Sequence, residues 1–279
     1  MLKRIFVYPY ILWMTIFIVA PLLIVVWFSI TGTGYDGRTI FTLYYFFRFF
    51  EPLYISILLR SIRLAAISTA ISLMLGYPLA YALARYFRTK SFLLFLFLVP
   101  MWMNFLLRTY AWLTILEQNG LLNVALSFLG LPTIDILFTD TAVILGMVYN
   151  FLPFMVLPIY TALLDIDKSY IEAAQDLGAG KIKLFTKVVF PFSIPGIISG
   201  ITMVFMPAVT TFIIPNLLGG GQFILVGNLI EQQFLRVGNW QFGSAISVIL
   251  IVLILFMMAL IKLLDRQPVN RESGGTLYD

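Results

Sequence analysis

The sequence predicts an all-α, polytopic membrane protein of six transmembrane helices. Of its 279 residues, 61% are hydrophobic and only 11% are charged; a soluble domain carries about 25% charged residues. Stretches free of Lys, Arg, Asp and Glu recur, and several suffice for a bilayer crossing, which needs roughly 20 apolar residues. The basic residues also fall unevenly on alternate loops, as the positive-inside rule requires.

Lys3-Arg4 precede an apolar run that starts at Ile5. The run is too long for the apolar region of a signal peptide, and no small-x-small cleavage site follows it. It is therefore expected to be the first span, at about 8–30. Further apolar segments place spans at about 64–84, 91–107, 142–163, 195–214 and 242–261. Pro21, Pro78, Pro100, Pro153, Pro158 and Pro207 lie inside them. Proline is tolerated there when neighbouring helices or water satisfy the freed carbonyls. With the N-terminus inside, twelve of the 18 basic residues fall on the cytoplasmic side, while the 13 acidic residues divide almost evenly. Both termini and the charged loop at 165–194 are therefore expected to be cytoplasmic.

Three segments are expected outside. Residues 31–63 are rich in rings, among them Tyr35, Phe41, Tyr44, Phe47, Phe50 and Tyr54, which suits a helix lying among lipid headgroups. Residues 108–141 carry Glu117, Asp135 and the turn Gly130-Leu131-Pro132. Residues 215–241 contain Gly219-Gly220-Gly221 and a short helix around 228–236. The chain thus divides into 1–63 (first span and aromatic segment), 64–264 (a core transmembrane unit) and a polar tail, 265–279.

The loop at 165–194 is the main polar stretch between long apolar ones. Ser169-x-x-Glu172 has the form of a capping box, with Ser169 as N-cap. Asp165 and Asp167 lie near the positive end of the helix dipole. Ala173 and Ala174 leave this helix nearly bare, so another backbone could approach it. Gly178 and Gly180 can end it. Residues 181–189 read as a second short helix made basic by Lys181, Lys183 and Lys187, with Pro191 and Pro195 marking the return to the membrane. The expected product is a helix–turn–helix knuckle presented to a soluble partner.

This segment, Glu172-Ala173-Ala174-x3-Gly178 followed by Val188-x-Phe190-Pro191, resembles the cytoplasmic signature of ABC importer permeases. Val188 and Phe190 stand where Ile and Leu are usual. The resemblance extends along the chain through Leu75-Gly76-Tyr77-Pro78, Val99-Pro100-Met101-Trp102-Met103-Asn104, Leu107-Arg108-Thr109-Tyr110, Leu152-Pro153-Phe154-Met155, Leu217-Leu218-Gly219-Gly220 and Gly227-Asn228-Leu229-Ile230. In these it is similar to the first permease subunit of spermidine/putrescine importers. The resemblance implies a type I importer fold and a division of labour. An extracytoplasmic polyamine-binding protein captures the solute, this chain and a second homologous permease form the path, and two copies of a cytoplasmic ATPase each receive one knuckle. Glu172, Ala173, Ala174, Asp176, Gly178 and Pro191 are then the expected ATPase dock.

Polyamines are long cations, suited by carboxylates and aromatic faces. The predicted spans hold essentially no Asp or Glu, which are costly at the bilayer centre. Rings and amides therefore become the pathway candidates: Trp102, Asn104, Tyr110, Trp112, Tyr149, Asn150 and Tyr160.

Several classes are disfavoured. The chain has no Cys and no His, which removes disulfides, thiolate nucleophiles, Cys/His zinc sites and His proton relays. No cofactor or metal is expected. The net charge of +5 belongs to cytoplasmic loops, because no basic recognition helix for nucleic acid is visible. Gly180-Lys181 lacks the rest of a phosphate loop: Gln175 stands in place of the first glycine and Ile182 in place of Ser or Thr. The chain is therefore expected to be non-catalytic. A secondary transporter would need an intramembrane charge and usually an internal repeat, and neither is visible. A receptor-like or purely structural subunit would leave the capped knuckle unexplained.

Overall fold

A computed structural model describes residues 7–33, 38–85, 92, 95, 97–222 and 224–264. Among them the chain is almost wholly helical. Helix α1 (Tyr8–Ser29) contains a π-helical turn at Thr15–Val19, just before Pro21. A two-stranded antiparallel hairpin follows, β1 (Thr31–Thr33) with β2 (Thr39–Phe41), and then a short helix, α2 (Tyr44–Phe49). In this aromatic segment Phe41, Tyr44, Phe47 and Phe50 are exposed. Phe49 is buried, and the Arg48 guanidinium lies 4.6 Å from the Phe242 ring centroid.

Helix α3 runs from Pro52 to Arg85. It begins twelve residues earlier than expected, because Arg60 and Arg63 do not stop it. Both turn toward Asp140, at 2.6 and 2.9 Å, and the helix continues past them. Of the expected third span, 91–107, residues 91, 93, 94 and 96 lie outside the described set. Phe92, Phe95, Phe97 and Leu98 are helical. A 3₁₀ turn, Val99–Trp102, then ends in extended backbone at Met103. The helix breaks at Pro100, and residues 105–107 belong to the next element. That element is α4 (Phe105–Leu116), followed by α5 (Leu121–Phe128), α6 (Asp140–Leu164), α7 (Lys168–Asp176), α8 (Lys181–Thr210), α9 (Ile213–Leu218), α10 (Val226–Gln232) and α11 (Trp240–Leu264).

Five of these helices are long and apolar enough to cross a membrane: α1, α3, α6, α8 and α11. The core is the α3–α6–α8 triad, in which Leu64, Ala65, Ala80, Met147, Met155, Ile159, Val204 and Ala208 are buried. Between helices the apolar drive that works in water is absent, so close backbone packing must hold the bundle. Gly196 and Gly200 provide it in a Gly-x-x-x-Gly spacing on α8. A Cβ at Gly196 would lie 2.6 Å from the Pro158 carbonyl oxygen and 2.7 Å from Ala162. One at Gly200 would lie 2.7 Å from the Met155 sulfur. α11 lies apart from the triad, packed chiefly on α1 and α2.

Buried asparagines close the end of the bundle away from α7. Asn123 donates to the carbonyls of Glu117 and Ile134 and accepts from the Ile134 N–H. Asn228 donates to the Phe212 carbonyl at 2.9 Å and to Asn216 Oδ1 at 2.7 Å, and the Ser61 hydroxyl accepts from the Val226 N–H at 2.8 Å. Irregular backbone at membrane depth needs such internal partners.

Candidate functional site

Two groups of residues stand out, the knuckle and a cluster around the break after the third apolar segment. The knuckle is capped at both ends. The N-cap is Asp167 instead of the expected Ser169: its carboxylate accepts from the Ser169 N–H at 2.9 Å. The helix starts at Lys168, so Glu172 is two positions beyond the third helical residue that a capping box uses, and it is exposed. The hydrogen bonds from Ser169 hold the Asp167 carboxyl below the usual carboxylate range. At the other end, Gly178 has φ +76°. Its N–H donates to the Gln175 carbonyl at 2.8 Å, and that of Ala179 to Ala174 at 3.0 Å. This paired pattern is a Schellman motif, and its left-handed residue favours glycine.

Ala173 faces outward with Glu172, Gln175 and Asp176, and Ala174 is half-buried. Leu177 and Ile182 flank the turn and are 89% and 81% exposed. A surface with a bare alanine patch, a ring of acids and two exposed aliphatic side chains can be covered by another protein at little cost.

The second half of the knuckle corrects the sequence reading. Residues 181–189 are not a separate helix, and Pro191 and Pro195 do not interrupt the chain. Helix α8 runs continuously from Lys181 to Thr210. Pro191 cannot donate to the carbonyl four residues back. A π-helical turn at Phe185–Val189 absorbs the mismatch, and the Phe190 N–H reaches the Phe185 carbonyl five residues back. The knuckle is further tied down by Tyr170, whose ring stacks on Phe192 at 5.0 Å. Phe185 in turn meets Tyr77 and Tyr81 of α3 edge-on at 6.0 and 5.5 Å, and the Tyr77 hydroxyl and Ser193 Oγ lie 3.0 Å apart. The knuckle is thus packed continuously with the α3–α8 contact.

The seven pathway candidates separate. Trp102 is 78% exposed and lies edge-to-face with Phe95, their ring centroids 5.6 Å apart. Asn104 is the N-cap of α4: its Oδ1 accepts from the N–H groups of Leu106 and Leu107. That cap accounts for its polarity without any ligand. Tyr160 is buried in the core, and Tyr110 is exposed. Trp112 and Tyr149 form an edge-to-face pair at 5.1 Å. Asn150 is fully buried, donates to the Gly146 carbonyl and accepts from Arg108 Nε, each at 2.8 Å.

Arg108, expected in an external loop, is 7% exposed within α4. The amphipathic spacing of Arg108, Trp112 and Leu116 could have signalled an inward face, but an Arg following an apolar run reads as a loop. Glu231 was also missed: its side chain is only 17% exposed, it accepts weakly from Asn216 at 3.4 Å, and it borders a cavity of about 490 Å³ lined by Phe212, Phe234 and Leu250. Position 231 lies in a segment with no apolar period, so nothing local marked its burial.

A helical bundle with a capped knuckle rigidly joined to a core span is the architecture of a membrane-embedded importer subunit. The chain belongs to the family of binding-protein-dependent transport system inner membrane components, whose model matches residues 72–269. It is a multi-pass protein of the cytoplasmic membrane and a permease subunit of an importer. It is 40% identical over 256 residues to the spermidine/putrescine transport system permease protein PotB of Escherichia coli (strain K12), covering 88% of this chain and 91% of that one. It is 38% identical over 266 residues to the protein of the same name from Haemophilus influenzae, covering 91% and 92%. Among solved structures, a chain of a bacterial alginate ABC transporter in complex with an alginate pentasaccharide-bound periplasmic protein superposes with a TM-score of 0.80. That match covers 95% of this chain and 94% of the other at 17% identity, and so shows the fold.

Proposed function

We propose that this chain is one of two permease subunits of an ATP-driven importer that moves polyamines across the cytoplasmic membrane. The observation that carries the reading is the similarity along about nine-tenths of the chain to permeases named for spermidine and putrescine. The chain's own chemistry supports it: the described spans offer rings and amides to a cation, and Glu231, 4.0 Å from Arg236 Nε, is a mostly buried carboxylate beside an apolar cavity. The partners are a second, homologous permease, two copies of a cytoplasmic ATPase and an extracytoplasmic polyamine-binding protein. ATP hydrolysis belongs to the ATPase, so this chain is non-catalytic. Glu172, Ala173, Ala174, Asp176, Gly178 and Pro191 form the dock, and Trp102, Tyr110 and Tyr149 lie at or near the path.

The test is reconstitution of the four-component complex in vesicles. Spermidine or putrescine uptake should require ATP and the binding protein. This chain purified alone should hydrolyse no ATP. Uptake of an uncharged or anionic solute, with no polyamine uptake, would move the chain to an importer of another substrate class.

A further inference from the structure

Arg108 is the only charged side chain that is buried among the described residues, and no described carboxylate pairs with it. A charge within a membrane protein is expensive and calls for a functional account. Packing alone does not provide one, since an apolar side chain would fill the same space more cheaply. Its hydrogen bonds indicate another role. Nε donates to Asn150 Oδ1 in the middle of α6 at 2.8 Å, and Nη1 donates to the Pro100 carbonyl at 3.0 Å. The guanidinium lies 5.8 Å from the Phe105 centroid and 5.9 Å from that of Tyr149. One side chain on α4 therefore ties together α6 and the broken turn Val99–Trp102. The backbone is extended directly after that turn, at Met103.

We infer that Arg108 is a clasp, a positioning residue that holds the turn bearing Trp102 against α6 in one state of the transport cycle and releases it in the other. Both acceptors are neutral. Bonds from a guanidinium to a carbonyl and an amide are weaker than a bidentate carboxylate pair, which suits a contact that must break at each turnover. The fork is needed because the two acceptors are met by different nitrogens. A lysine keeps the charge but cannot span them.

The proposal rests on the importer reading and not on the identity of the solute. Its test therefore includes a readout other than uptake. The chain has no cysteine, so Trp102→Cys gives this subunit a single thiol. In the full complex, its modification by a membrane-impermeant maleimide is timed without ATP and after trapping with ATP and vanadate. With Arg108 present the two rates should differ several-fold. Arg108→Met, Arg108→Lys and Asn150→Ala should each remove that difference. Each should also lower maximal uptake in the Trp102 background by about tenfold, roughly one hydrogen bond to a charged group, with KM and the yield of complex unchanged. The Arg108→Met/Asn150→Ala pair should be no worse than either single variant. Full uptake and state-dependent labelling in Arg108→Lys would overturn the clasp and assign the role to charge alone. Equal labelling in both states of the parent complex would also overturn it, as would failure of all three variants to assemble. A complex with Trp102 intact that imports no solute, while the Trp102→Cys complex labels as expected, would count against the importer reading and not against the state-dependent contact.

Discussion

At the scale of single residues, the knuckle depends on two backbone facts. Gly178 occupies the left-handed region at φ +76° with open space around it. Gly178→Val therefore meets no steric neighbour but carries strain of about 1–2 kcal/mol. The variant should insert normally and lose most ATPase on co-purification; wild-type retention and uptake would show that the turn is not needed. Glu172→Lys reverses the charge of an exposed residue that caps nothing. Loss of uptake in that variant would therefore report on the dock and not on helix stability. Asp167 gives a pH prediction of definite sign. Its folded carboxyl titrates below the unfolded value, so its stabilisation of α7 is complete at neutral pH and is lost as pH falls through the depressed value. The protection factor of the Ser169 amide, its exchange relative to the intrinsic rate at the same pH, should fall on acidification in the wild type. In Asp167→Asn, which cannot titrate, it should stay flat. Trp102 is also open to test. At 78% exposure it contributes little packing, so Trp102→Leu should preserve assembly. If its ring faces the path, polyamine uptake should fall several-fold, in keeping with one cation–π contact of about 0.5–2 kcal/mol.

At the scale of elements, the α8–α6 contact is built on close approach. Gly200→Leu would drive a branched side chain into Met155, and Gly196→Val would press on the Pro158 carbonyl. Overpacking of this kind costs about 1–3 kcal/mol. Both variants should lower the melting temperature of the detergent-purified complex, and an unchanged melting curve would show that the helices separate at no cost. Ser72 and Ser244 have buried hydroxyls without a partner. The π-helical turn at Phe185–Val189 is the other informative element. Such turns are frequent at functional sites, and this one lets Pro191 remain inside a helix that carries part of the proposed dock at its start and the core at its end. The capped helix, the glycine turn and the proline were all legible from residue type and spacing. The continuity of α8 was not, because proline ends a helix in local reasoning and only a longer-range hydrogen-bond pattern keeps it intact.

At the scale of the whole molecule, the proposed topology has six spans with both ends in the cytoplasm. Reporter fusions at Gly130 and Gly221 should read as external, and one at Gly180 as cytoplasmic. A single reversed reporter would add or remove a span. Composition, apolar run length and the distribution of Lys and Arg determined by themselves that this is a helical membrane protein and where its polar knuckle lies, because bilayer thickness and backbone hydrogen bonding leave few alternatives. Its resemblance to importer permeases was also readable there, in Glu172 through Pro191. The tertiary structure alone decided what the polar residues within the apolar background do. Asn150 and Arg108 became partners across 42 positions of sequence, Arg60 and Arg63 turned to Asp140 and let α3 run on, and Glu231 came to rest beside a cavity. The physical reason is that a buried polar group is placed by whichever donor or acceptor the packing brings within 3 Å, and that partner lies on another helix.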